Sequence, residues 1–287
     1  MQTDLIQTRT NDGIALDGAY FTPNKHSSAD ALVDGVLLIH GSAGSFYSNM
    51  NRALAERVTK AGFPCVAFNT RGHDVVWGVP GHLFGTAYEI LDGCRIDIKA
   101  MFDWMGSNGM KRIAVFGHSI GAVKAVYYKA VEQDPRVTAI VCCSPVRLSH
   151  NYFLRTEAAD EHLSNLKIAN DFIERGRPDA LFEVKFPSPH IVGASAYVDK
   201  YGPEEKYNLT RYIAGITCPI LITVGTRENS THHRHCAEDV YMTIRERPYA
   251  RMKFIEDADH IYTGKLDDLA RSVGEYLASL KPGHIWA

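Results

Sequence analysis

Apolar and polar positions along the chain alternate between two rhythms. Short apolar or alternating runs near residues 4–9, 14–21, 34–40, 64–69, 111–116, 137–143, 219–224 and 251–256 have the spacing and residue types of β-strands. Between most of them the spacing lengthens to that of an amphipathic helix. "NMNRALAERVTKAG" puts Leu54, Val58 and Ala61 on one face and stops at Gly62; "AYEILDGCRIDIKAMFDWM", "IGAVKAVYYKAVEQD" and "DDLARSVGEYLASL" read the same way. Two early strands followed by strand–helix alternation predict an α/β fold, a mostly parallel central sheet flanked by helices on both faces.

The alternation breaks once. From Arg147 to Thr217 no buried strand is expected, and "LRTEAADEHLSNLKIANDFIERG" and "ASAYVDKYGPEEKYNLTRYIAG" read as helices split by the proline-containing "VKFPSPH". That span is too long for a plain connection. It is read as a helical cap, residues 147–217, inserted into a core made of residues 1–146 and 218–287.

Bulk properties mainly exclude. The 287 residues carry a formal net charge of −2, 45% hydrophobic residues and no basic block, so nucleic acid is not expected as a partner. No apolar stretch is long enough to span a bilayer and none at the N-terminus has the form of a signal peptide, so a cytoplasmic protein is expected. The six cysteines, Cys65, Cys94, Cys142, Cys143, Cys218 and Cys236, show no CxxC pair and are expected to be reduced thiols, four of them in or beside strands. Nothing in the pattern decides between monomer and homodimer.

Chemistry concentrates at "IAVFGHSIGAVKAVYY", where strand formers give way to helix formers around Gly117-His118-Ser119-Ile120-Gly121. In a G-x-S-x-G turn a serine is lifted above the sheet on a strained backbone, glycines clear the crowded positions beside it, and the following helix offers free N–H groups to a developing anion. A serine hydroxyl is a weak nucleophile without a base. Of the 13 histidines, His260 is best placed, in a short loop between the last strand and the last helix. Glu228, just past the strand "PILITVG", is the expected carboxylate partner of its ring; Asp257 and Asp259 are rivals too close in sequence to reach the ring comfortably. The glycine-rich turn His40-Gly41-Ser42-Ala43-Gly44 is expected to set the backbone N–H of Ser42, or less favourably Ala43, opposite that of Ile120 as an oxyanion hole. There is no G-K-[ST] or G-x-G-x-x-G to suggest nucleotide binding.

Taken in order, "HGSAG", "FNTRGHD", "GHSIG", a cap, then Glu228 and His260, the sequence resembles the α/β-hydrolase superfamily over most of its length, in its capped, esterase-like serine hydrolase branch. It departs from the usual pattern in having glutamate rather than aspartate as the acid, and in Asn69 and Asp74 within the "NTRGHD" loop. The resemblance implies a hydrolase without cofactor or metal, cleaving a carboxylic ester, lactone or thioester of a small molecule. Carbon–carbon bond hydrolysis, acyl transfer and a non-catalytic receptor on the same scaffold stay open as alternatives.

Weaker signals are read conservatively. His232, His233 and His235 in "THHRHC" look like a metal tract but are expected to be a solvated helix start. His40, His73 and His118 are expected to satisfy local hydrogen bonds. The cap aromatics Tyr152, Phe153, Phe172, Phe182, Phe186, Tyr197 and Tyr201 are expected mostly to pack the cap onto the body, a few joining Phe46, Tyr47, Trp77 and Phe84 around an apolar pocket. The loop "HDVVWGVPGHLFGTAYE" is expected to form a wall of that pocket.

Overall fold

In a computed structural model, which describes residues 2–24, 31–228 and 233–281, the chain opens with β1 (Gln2–Arg9), β2 (Ala15–Thr22) and β3 (Gly35–Ile39). Then come α1 (Asn49–Lys60), β4 (Cys65–Phe68), a small hairpin β5 (Trp77–Val79) and β6 (His82–Phe84), α2 (Gly93–Ser107), β7 (Ile113–His118), α3 (Ile120–Glu132) and β8 (Val137–Cys143). The next segment carries α4 (His150–Phe153), α5 (Ala159–Glu174), a second hairpin β9 (Leu181–Val184) and β10 (His190–Gly193), α6 (Ala194–Tyr201) and α7 (Thr210–Ile213). The chain closes with β11 (Ile220–Gly225), α8 (Arg234–Ile244), β12 (Ala250–Ile255) and α9 (Leu266–Ser279).

The eight stretches expected to be strands form one sheet in the order β1-β2-β4-β3-β7-β8-β11-β12. Only the β1–β2 and β2–β4 pairings are antiparallel; from β4 to β12 the sheet is parallel. This is the α/β-hydrolase fold. Strand β3 shows why its apolar run is unbroken: the period of two sends Leu37 and Ile39 into the core beneath α2 and α3, and Val36 and Leu38 into the core beneath α1 and α9. Ile98, Met101 and Phe102 of α2 close the first face; Leu54 and Val58 of α1 with Leu269, Val273 and Leu277 of α9 close the second. All six cysteines are buried and unpaired, and burial pushes the Cys143 thiol up to about 12, so it stays protonated.

Two features differ from the sequence reading. The segment between β8 and β11 is not purely helical, because "LFEV" and "HIVG" pair across "KFPSP" as β9 and β10. These strands are four residues each and mostly uncovered, so they lack the apolar run by which the sheet strands are recognised. The "HDVVWGVPGHLFGTAYE" loop folds as the β5–β6 hairpin, stacking His73, Trp77 and Phe84 on one another and leaving Val75, Val76, Val79 and Leu83 exposed. Its apolar side chains serve that local stack and an outer surface instead of a pocket.

Candidate active site

The turn from β7 into α3 holds Ser119 at φ 56° and ψ −119°, a left-handed backbone that costs energy for a residue with a Cβ. Its neighbours are glycines for a steric reason. A Cβ on Gly117 would lie 2.2 Å from the Gly121 carbonyl oxygen, and one on Gly121 would lie 2.6 Å from Ile39 O, so α3 could not sit this close to β7 and β3. The Ser119 amide donates to Cys143 O at 2.8 Å, which ties the strained turn to the end of β8.

Glu228 follows β11 and turns back over it: its amide donates to Gly225 O at 3.1 Å, and Gly225 N–H donates to Glu228 Oε1 at 2.8 Å. Ser144, itself at φ 45°, donates its hydroxyl to the same Oε1 at 2.5 Å and contacts the Tyr262 hydroxyl at 2.8 Å. The other carboxylate oxygen, Oε2, is 2.7 Å from His260 Nδ1. Burial works to raise the Glu228 pKa, yet the hydrogen bonds from His260, Ser144 and Gly225 outweigh it and hold the carboxyl below its ordinary value. An ionised Glu228 fixes the Nδ1–H tautomer of His260 and leaves Nε2 free to accept a proton. Asp259 does not compete for the ring, because its Oδ1 accepts from the amides of Ile261 and Thr263 within the same loop.

Two other histidines frame the site as neutral struts. His118 Nε2–H donates to the His260 carbonyl at 2.8 Å, pinning the loop that carries the ring. His40 Nδ1–H donates to Gly41 O at 2.8 Å while its Nε2 accepts from the Thr70 amide at 3.1 Å. Burial holds both pKa values down at about 3. Thr70 Oγ1 in turn accepts from Lys124, which forms an ion pair with Glu89 inside the core, both side chains essentially without solvent contact.

Ser119, His260, Ser42 and Ile120 all line one cavity of about 850 Å³, and Glu228 stands buried behind His260. Met50, Val146, Leu148, Ile261 and Leu266 make much of its wall apolar, while Pro187, Ser188, His190, Lys200 and Tyr201 come from the segment between β8 and β11. Ser42 Oγ lies 3.1 Å from Thr86 Oγ1, which anchors the turn after β3. Among the described residues, neither the Ser42 nor the Ile120 amide donates to a turn or cap carbonyl. Of the aromatics expected at the pocket only Tyr201 lines it; Phe153, Phe182, Phe186 and Tyr197 pack against one another or against Tyr201.

His233 corrects the reading of "THHRHC". It caps the start of α8 but also lines the cavity, with its ring centroid 4.1 Å from that of His260 and the planes 30° apart. His235 is exposed, and His232 lies outside the described residues. Sequence periodicity along α8 could not reveal this contact, which depends on where the helix starts relative to the end of β11. Among the described residues, Glu228, His233 and His260 form the one group whose potential metal-ligand atoms lie close, within 4.8 Å of one another. Near-parallel imidazoles aim their lone pairs side by side instead of at a common point, and the Glu228–His260 bond already occupies one ligand atom of each. The set suits a hydrogen-bonded acid–base pair with a stacked neighbour better than a metal cage.

A mostly parallel sheet with a strained serine after its central strand, and a histidine and carboxylate after its last two, defines an α/β-hydrolase. Residues 36–271 match the alpha/beta hydrolase family, and the chain belongs to it. No curated protein gives a significant match. Among solved structures, Est1E from Butyrivibrio proteoclasticus, with ferulic acid bound, aligns with a TM-score of 0.66 at 18% identity over 95% of this chain and 98% of that one. The alpha/beta hydrolase GrgF from Penicillium sp. sh18 gives a TM-score of 0.72 at 13% identity, covering 96% and 98%. The Pyrococcus furiosus esterase Pf2001 gives 0.61 at 20% identity, covering 96% and 90%. At these identities the likeness speaks to the fold. No helix among the described residues is long and apolar enough to cross a membrane.

Proposed function

We propose that the protein is a serine hydrolase that cleaves a carboxylic ester, lactone or thioester of a small molecule through an acyl-enzyme. Ser119 attacks the carbonyl carbon, His260 Nε2 takes the hydroxyl proton and later returns it to the leaving group, and Glu228 orients the ring and stabilises its cation. The amides of Ser42 and Ile120 hold the oxyanion, and water then releases the acid. The observation that carries this reading is the shared cavity: a serine on a left-handed elbow faces the same space as a histidine bonded at 2.7 Å to a buried carboxylate. Among the described residues no hydrogen bond yet joins Ser119 Oγ to His260, a contact that catalytic serines often complete only with substrate in place.

The same reading makes residues 147–217 a cap over a core of 1–146 and 218–287, supported by the six residues of that segment, Leu148 among them, that wall the cavity. Ester cleavage is favoured as the reaction because the structural relatives named above include the esterase Pf2001, and Est1E binds ferulic acid, a carboxylic acid. The test is hydrolysis of 4-nitrophenyl esters by the wild type and by Ser119→Ala. Loss of about a thousandfold or more in kcat with an unchanged circular dichroism spectrum is expected; a Ser119→Ala enzyme of wild-type activity removes the serine from the mechanism.

A further inference from the structure

The cavity is lined by a buried lysine that ester cleavage itself does not use. Lys200, on α6, is 4% exposed and lines the cavity beside Ser188, His190 and Tyr201. Its ammonium donates one long hydrogen bond, 3.3 Å, to Thr86 O and sits 5.7 Å from the centre of the Tyr207 ring. An ammonium has three donors and a large cost of desolvation, so a single long bond leaves it far from satisfied. Among the described residues no carboxylate forms an ion pair with it, and Glu89, whose field it feels, is taken by Lys124. Asp199, the other buried carboxylate whose field it feels, is taken by Lys206.

The cavity wall does not offset that charge. Among its described lining residues there is no Asp or Glu. His190 is neutral and already engaged: its Nδ1–H donates to Ser188 O at 2.7 Å, and its Nε2 faces the Tyr201 hydroxyl at 3.3 Å. The buried lysine therefore borders the cavity with no carboxylate across from it. Thr86 also ties Lys200 to the turn proposed to hold the oxyanion, since Thr86 O accepts from the lysine and Thr86 Oγ1 contacts Ser42.

We infer that Lys200 is a specificity-determining residue that recognises an anion, and that the preferred substrates are esters carrying a carboxylate away from the bond that is cleaved. The inference rests on the hydrolase reading and narrows its substrate class. A carboxylate delivered to a buried ammonium gains charge-assisted hydrogen bonds in a poorly screened site. A neutral ester of equal length leaves the ammonium as it stands.

The test compares mono-(4-nitrophenyl) adipate with 4-nitrophenyl hexanoate, which share chain length and leaving group and differ in the terminal carboxylate. The wild type is expected to prefer the adipate in kcat/KM by about tenfold or more, and Lys200→Met to lower the adipate-to-hexanoate ratio by about 10- to 100-fold, chiefly through KM. A lysine that only props up Thr86 would change both substrates together and leave that ratio in place, which overturns the inference, as does a wild type that treats the two esters alike. Should Lys200→Met fail to fold, the wild-type ratio and competitive inhibition of hexanoate hydrolysis by free adipate decide the matter. Calorimetry with adipate reads the anion site without turnover: binding in an enzyme inert to both esters defeats the hydrolase reading alone, and hexanoate turnover without adipate binding defeats the anion site alone.

Discussion

Mild acid should weaken this protein through two histidines, and the size of the effect follows from where they sit. His40 and His118 are 2% and 7% exposed, and burial holds each at a pKa of about 3. In the unfolded chain the same rings titrate at about 6.5. Between those values the unfolded state binds protons that the folded state refuses, so stability falls as pH drops below 6.5. At pH 5 the loss is about 2 kcal/mol for each ring, or about 4 kcal/mol together, against a usual total of about 5–15 kcal/mol. His162, held at about 4 by burial and by the neighbouring His150, acts in the same direction. Carboxylates held low in the fold, such as Asp34, Asp134 and Glu228, lose their contribution only as pH falls below their unfolded values near 4, so pH 5 reports on histidine. Urea unfolding at pH 7.5 and pH 5.0 gives the free-energy difference, and ring-nitrogen NMR gives the protonation state of each histidine. A loss of about 4 kcal/mol or more, with His40 and His118 still neutral at pH 5, is expected. Stability that changes by less than about 1 kcal/mol, or two rings that titrate freely near 6.5, would refute the reasoning.

The remaining predictions concern single side chains. Lys124→Met removes the ion-pair partner of the buried Glu89 carboxylate and should cost about 3–5 kcal/mol in urea unfolding, with much of the loss recovered in Lys124→Met/Glu89→Gln. Glu228→Gln keeps an acceptor for the His260 ring but removes the charge that stabilises its cation, so kcat on a neutral ester should fall by about 10²- to 10⁴-fold with little change in melting temperature. Ser144→Ala removes one donor from Glu228 and should lower kcat by about tenfold while leaving KM near its original value.

The sheet was legible because its inner strands β3, β4, β7, β8 and β11 are buried on both faces and read as short apolar runs, while β2 beside them alternates. The elbow was legible because Gly117 and Gly121 are imposed by backbone contacts at fixed spacing from Ser119. Glu228 and His260 could be located only through chain order, each just past a strand at the same edge of the sheet. What escaped depends on packing between distant segments. Lys124 and Lys200 look like ordinary solvated helix charges, since no pattern along α3 or α6 shows that neighbouring elements cover them. His233 meets His260 only because α8 begins beside the end of β11, and Ser144 meets Glu228 only because β8 and β11 are neighbours. The two hairpins are short and largely exposed, so the cue that exposes the main sheet is missing from them.

Fluorophosphonate labelling followed by mass spectrometry of the modified peptide addresses the central claim most directly, because the reagent reacts only with a serine that a neighbouring base has activated. The account predicts a single adduct on Ser119 that disappears when His260 is replaced by alanine. An intact protein that takes no label, or takes it on another serine, would contradict it.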